Sequence, residues 1–210
     1  MEIKIKDLTM AYGDTKIFDK LNLTLQSGKT TCLLGESGCG KTTLLNLLAG
    51  TLTAQSGTIQ PQTFGHVSFV FQDSLLLPWM NVLDNVAYLM DDRLTRKERH
   101  ERAGHLIQRV GLEGYEKHYP TELSGGMSRR VTLARALGKE ASLLLMDEPF
   151  SSLDDGLKDR LVILLKELLE EEKKTVLYVT HDKRIATELS DHVLLMVREE
   201  GLSRIIRDEF

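Results

Sequence analysis

The stretch Gly35-Glu36-Ser37-Gly38-Cys39-Gly40-Lys41-Thr42-Thr43 constrains this chain more than any other. It has the form G-x-x-x-x-G-K-T, a phosphate-binding loop. Gly35, Gly38 and Gly40 let the backbone turn tightly and bring N–H groups close to an anion. Lys41 is a mobile positive charge that can reach outer phosphates, and the Thr42 hydroxyl is a ligand for Mg²⁺. The run Thr30-Thr31-Cys32-Leu33-Leu34 reads as a strand leading in. Thr43-Leu44-Leu45-Asn46-Leu47-Leu48-Ala49 reads as a helix leading out, with Gly50 at its C-cap. The loop therefore sits at a helix N-terminus, whose partial positive charge favours anions.

Four further apolar runs read as strands: His66–Phe71, Leu143–Met146, Thr175–Val179 and His192–Val197. Five near-continuous apolar strands alternating with helices imply a parallel sheet covered on both faces. Residues 3 to 25 read differently, as an antiparallel meander of Ile3-Lys4-Ile5, Lys16-Ile17-Phe18 and the strictly alternating Leu21-Asn22-Leu23-Thr24-Leu25. Tyr12-Gly13-Asp14 is its turn, and Ser56-Gly57-Thr58-Ile59 begins a further short strand. Residues 73 to 140 carry no strand signal. Asn81 N-caps a helix over 82–90. Thr95 and Glu98 form a capping box opening a helix to about Val110, stopped at Gly111. A third helix spans Met127 to Leu137, stopped by Gly138. Helix 157–172 carries a stripe of leucines, and Leu202–Ile206 is a final strand. The expected architecture is α/β: a core over 1–72 and 141–210 that includes an antiparallel β subdomain, with a helical subdomain inserted over 73–140.

Charge and length narrow the class. The 210 residues carry 27 basic and 31 acidic side chains, a net charge of -4, which argues against nucleic-acid binding as the main task. No apolar run reaches the roughly 18 residues of a membrane helix. Met1-Glu2-Ile3-Lys4-Ile5-Lys6 alternates like a strand and lacks an apolar signal core, so the expected location is cytoplasmic. The two cysteines, Cys32 in a buried strand and Cys39 in the loop, do not suggest a disulfide framework.

Polar residues follow the C-terminal ends of four predicted core strands. The phosphate loop follows Leu34, Gln72 follows Phe71, Asp147 and Glu148 follow Met146, and His181 follows Thr180. Ligands of open parallel sheets bind at that edge. Phosphoryl transfer needs positioning, charge neutralisation and an oriented nucleophile. Asp147 suits Mg²⁺, Glu148 can act as general base towards water, Gln72 can reach metal or water, and His181 can donate to the terminal phosphate. Ser124-Gly125-Gly126, at a helix start, is a second anion-binding element. One loop already cradles the phosphates, so a second needs either its own ligand or a shared one.

The chain resembles the ATP-binding cassette ATPases along nearly its whole length. The resemblance rests on the loop, on Leu123-Ser124-Gly125-Gly126-Met127 with Arg129-Arg130 and Ala134-Arg135-Ala136-Leu137 behind it, and on Gln72, Asp147-Glu148, Ser151-Ser152-Leu153-Asp154 and His181 in that order. It implies an Mg²⁺-dependent ATPase. ATP would be held by Gly35, Glu36, Ser37, Gly38, Cys39, Gly40, Lys41, Thr42, Thr43 and Gln72, and stacked on Tyr12. Ser124, Gly125 and Gly126 of a second copy would close the site in a head-to-tail dimer. Mg²⁺ would be held by Thr42, Gln72 and Asp147, with Glu148, His181 and Lys41 catalytic. Met127 departs from the common glutamine of this family.

Leu75-Leu76-Leu77-Pro78-Trp79-Met80-Asn81-Val82-Leu83-Asp84-Asn85-Val86 is similar to importer ATPases of the nitrate, sulfonate and taurine type. That resemblance implies a membrane permease as partner, an extracytoplasmic substrate-binding protein in the same system, and a peripheral location on the inner face of the membrane. The competing expectation is a non-transport cassette ATPase acting in translation, repair or cofactor assembly. Its usual marks are a second cassette, a coiled-coil insertion or a basic surface, none of which this sequence carries. Cys39 has two readings, a thiol activated by Lys41 and the helix start or an inert packing thiol.

Overall fold

Two long strands open the chain. β1 (Ile3–Tyr12) and β2 (Thr15–Leu25) pair antiparallel, and β4 (Ser56–Gln60) adds to the other edge of β1, giving the order β2-β1-β4. The computed structural model describes residues 2–61, 67–150, 153–199 and 201–207. His66 and the pair Ser151-Ser152, singled out above, lie outside them. Along β2, Leu21, Leu23 and Leu25 are buried while Asn22 and Thr24 are exposed, which is the expected alternation. The separate short strands read from residues 3–25 are merged, because the breaks in alternation are bulges. The register slips between Ile5 and Leu8. There Asp7 has φ 49°, and Asn22 is bonded to it twice, at 3.1 and 3.2 Å.

The main sheet has six strands: β5 (Val67–Val70), β6 (Leu143–Asp147), β7 (Thr175–Thr180), β3 (Thr30–Gly35), β8 (His192–Glu199) and β9 (Leu202–Arg207), neighbours in that order. The first five run parallel and β9 is antiparallel to β8. Successive residues serve opposite faces. Leu143, Leu145, Leu177 and Val179 join α1 (Lys41–Ala49) and the antiparallel strands in one core. Leu144, Met146, Val176 and Tyr178 join the helices of the other face. Burial on both faces is what makes these strands read as continuous apolar runs.

Between β5 and β6 the chain makes only helices and turns among the described residues: α2 (Val82–Ala87), α3 (Arg96–Arg109) and α4 (Gly125–Gly138). A side-chain cap opens each of the three. Asn81 accepts from Asp84 N at 2.8 Å, Thr95 and Glu98 cap each other, and Ser124 accepts from Met127 N at 3.3 Å. Each such cap is worth about 1 kcal/mol. α2 stops at Ala87, earlier than read, and α4 starts two residues earlier, at Gly125. α5 (Asp155–Glu172), capped by Asp154, and α6 (Lys183–Leu189), capped by Asp182, complete the fold. No helix among the described residues is long and apolar enough to cross a membrane.

Candidate active site at the C-terminal edge of the sheet

The β3–α1 connection forms the phosphate-type loop. Gly38 and Gly40 take φ of 79° and 97°, left-handed values that a side chain resists. A Cβ on Gly40 would stand 2.9 Å from Ile17 and 3.2 Å from the Phe18 ring, so β2 presses directly on the loop. Tyr12 ends the neighbouring strand of that hairpin, half-exposed. Glu36, Ser37, Gly38 and Thr42 are exposed, and Gly35, Gly40 and Thr43 are partly so. Lys41 is buried, its ammonium curled back to donate to the Gly35 and Glu36 carbonyls at 2.8 Å each. Cys39 is also buried, 3.7 Å from the Lys41 ammonium.

β6 delivers two carboxylates beside this loop. The Thr42 hydroxyl donates to Asp147 Oδ2 at 2.7 Å. Burial pushes the Asp147 carboxyl above the usual carboxylate range, against the opposing pull of the Thr42 bond and of Lys41 and Arg129. A hydroxyl and a carboxylate oxygen side by side suit a hard divalent cation, and Mg²⁺ commonly takes one or two carboxylates and completes its shell from water and phosphate. Glu148 has φ 46°, a costly backbone for a non-glycine residue. Its N–H continues the ladder to Val179 O at 3.0 Å. Its side chain meets His181, which follows β7, with Nδ1 2.9 Å from the carboxylate. Glu148 and His181 themselves line a cavity of about 130 Å³, together with Phe150, Lys158, Tyr178 and Thr180 among others.

The loop, Asp147, Glu148 and His181 are therefore joined along one sheet edge, as the strand ends predicted. Gln72 follows β5 at the same edge and is exposed. Ser124 and Gly125 are exposed at the start of α4, and no hydrogen bond or ion pair links that turn to the Gly35–Thr43 loop among the described residues. Met127 turns inward, packed against the helical-side core.

Two functional-looking side chains escaped the sequence reading. Arg129 is only 8% exposed and donates to the carbonyls of Phe71, at 2.9 Å, and Gln72. Asn85, fully buried, donates to the Leu77, Met80 and Asn81 carbonyls at 3.1, 2.9 and 3.1 Å and accepts from Leu77 N at 2.8 Å. A signal existed for both. Arg129 shares a helical face with Thr132, Leu133 and Ala136, and Asn85 with Val82, so each polar residue interrupts an apolar stripe.

Comparison with known proteins gives consistent relatives. Residues 18–151 match the family described as ABC transporter. The chain is 43% identical to the taurine import ATP-binding protein TauB of Escherichia coli (strain K12), over 95% of this chain and 81% of that protein. It is 44% identical to the aliphatic sulfonates import ATP-binding protein SsuB 2 of Streptomyces avermitilis, over 93% of this chain and 77% of that one. Among solved structures, the dimeric bacterial ABC transporter cassette MJ0796 superposes with a TM-score of 0.85 at 29% identity, covering 99% of this chain and all of that one. The same cassette in a post-hydrolysis state with ADP and Pi gives 0.85 at 28% identity.

Proposed function

The chain belongs to the ABC transporter family, and on that premise we propose that it is the ATP-hydrolysing subunit of a membrane importer. The observation that carries the enzymatic part is the joined pair of contacts at the sheet edge, Thr42 to Asp147 and Glu148 to His181. The importer part rests on the named relatives, and their names favour taurine or another organic sulfonate as the cargo.

The residues divide the work as follows. Gly35 to Thr43 offer backbone N–H groups to the phosphates of ATP. Lys41 leaves the Gly35 and Glu36 carbonyls and turns its charge to the outer phosphates. Tyr12 lies against the adenine. Mg²⁺ neutralises phosphate charge when bound, and Thr42, Asp147 and Gln72 are the residues that would hold it. Glu148 accepts the proton of the attacking water, and His181 holds that carboxylate and donates towards the terminal phosphate. Ser124, Gly125 and Gly126 of a second copy close over the nucleotide, so that two chains share two ATP molecules head to tail.

Trp79 is 69% and Leu75 55% exposed, with Tyr88 and Leu89 also open to solvent. Apolar surface of this kind suits a helix of a permease subunit. Closing and reopening of the dimer would pass through this face to the permease, placing the chain on the cytoplasmic side of the membrane. A secreted substrate-binding protein would complete the system. The deciding measurement is phosphate release by the purified chain with Mg²⁺ and with chelator. Release only with Mg²⁺ is expected. A chain that binds ATP and releases no phosphate in either condition, even with its permease, overturns the proposal.

A further inference from the structure

We propose that Arg129 is a positioning residue for Gln72, clamping the main chain where β5 gives way to the following loop. This rests on the reading of the site as an ATPase site, and goes beyond it in assigning Arg129. The pairing of β5 with β6 ends at Val70 opposite Met146. The next two carbonyls, Phe71 and Gln72, both accept from Arg129 Nη1. The guanidinium thus holds the backbone of Gln72 at the point where the sheet no longer does.

Burial of a guanidinium is costly unless carbonyls and charges repay it. The acidic groups facing Arg129 are Asp73 on the loop and Asp147 and Glu148 at the end of β6, the carboxylates of the site itself. Arg129 also lies five residues after Ser124, the N-cap of α4. A helix is stiff over so short a span, about 1.5 Å per residue. Any contact that moves the Ser124-Gly125-Gly126 turn therefore moves the donor that holds Gln72. Arg129 ties the turn presented to one nucleotide to the glutamine presented to the other.

The test is a double-mutant cycle on ATP turnover: wild type, Gln72→Ala, Arg129→Met and the double variant. A residue acting through Gln72 should lower kcat about ten- to a hundredfold when truncated, as for loss of charge-assisted hydrogen bonds. KM for ATP should change less than about twofold. The double variant should then be no slower than Gln72→Ala alone, within about twofold. Arg129→Lys, which keeps a donor and the charge, should restore kcat to within about threefold, and Arg129→Gln, which loses the charge, carries the cycle if Arg129→Met does not fold. Losses that multiply in the double variant overturn the proposal, because a residue that merely supports the fold adds its effect independently. Hydrogen exchange at the amides of 71–74 supplies a readout free of catalysis. It should quicken about tenfold or more in Arg129→Met while the amides of α4 beyond Leu133 do not change, and unchanged exchange at 71–74 also overturns it. A wild type without ATP turnover would instead count against the ATPase reading, leaving the exchange measurement to decide on Arg129.

Discussion

Glu148 carries its carboxylate on a left-handed backbone, and Asp147 beside it is held ionisable in a buried place; both arrangements cost stability. The two should respond differently to amide substitution. Glu148→Gln keeps the shape and loses the base, so ATP binding should persist while turnover falls by roughly two to four powers of ten. Normal hydrolysis by this variant would remove Glu148 from that role. Asp147→Asn should lose Mg²⁺-dependent turnover yet melt a few degrees higher. The sign follows from the raised folded-state pKa. The penalty of ionising Asp147 sets in as pH climbs from the ordinary carboxylate range through that raised value, and is complete above it. An asparagine can still accept from Thr42 and never ionises. A melting temperature that drops in calorimetry at neutral pH would contradict this. The thiols bear on the two readings of Cys39. It is only 2% exposed, and burial pushes Cys32 up to about 12. Neither should take a bulky maleimide in the native protein, and mass spectrometry before and after denaturation counts the labels directly. Rapid native labelling of Cys39 would restore the activated reading.

At the scale of elements, the segment 72–81 is a loop held at both ends by side chains from helices, Arg129 of α4 and Asn85 of α2. Asn85→Ala strips the Leu77 N–H and the Met80 carbonyl of this partner, while the Leu77 and Asn81 carbonyls keep the backbone N–H groups of Met80 and Asn85. The expected cost is about 2–3 kcal/mol, or roughly 5–10 °C in melting temperature for a chain of this size. Hydrogen exchange at the amides of 77 and 80 should quicken about tenfold or more, and unchanged exchange there would show that Asn85 does not order the loop. These pins explain where the sequence stopped being legible. The core strands could be read because both of their faces are buried, which leaves little but apolar residues along Leu143–Met146 or Thr175–Val179. The site could be read because phosphate loops, carboxylates and a histidine at strand ends are constrained by chemistry. Arg129 and Asn85 show in the sequence only as polar breaks in apolar stripes, and their roles do not show, since whether a polar side chain on a helix points to water or to a carbonyl is decided by what packs against it. The bulge at Asp7 escaped for a related reason. A break in alternation looks the same whether the strand ends or absorbs an extra residue.

For the whole molecule, the Gly35–Thr43 loop and the Ser124-Gly125-Gly126 turn each stand at a helix start, and only the first has a lysine. If they serve one nucleotide from opposite copies, Glu148→Gln with ATP and Mg²⁺ should pass from monomer to dimer in size-exclusion chromatography with light scattering. Ser124→Arg should block that passage by bulk. A Glu148→Gln chain that binds ATP yet stays monomeric at high concentration would mean that the permease, not nucleotide, brings the copies together. A last consequence lies in the order of the strands. The helical insertion leaves the sheet at β5 and re-enters at β6, which are hydrogen-bonded neighbours. The two strands run parallel, so the insertion leaves at the Val70 end of β5 and re-enters at the opposite, Leu143 end of β6, three residues along the ladder and roughly 10 Å away along the strand direction. A body of some seventy residues that enters between two neighbouring strands as one contiguous stretch resembles an exchangeable part. Replacing residues 72–141 by the matching stretch of a relative should leave nucleotide hydrolysis standing while transferring the choice of membrane partner. Inheritance could then redirect such a motor to a new cargo by recombining one contiguous stretch of gene.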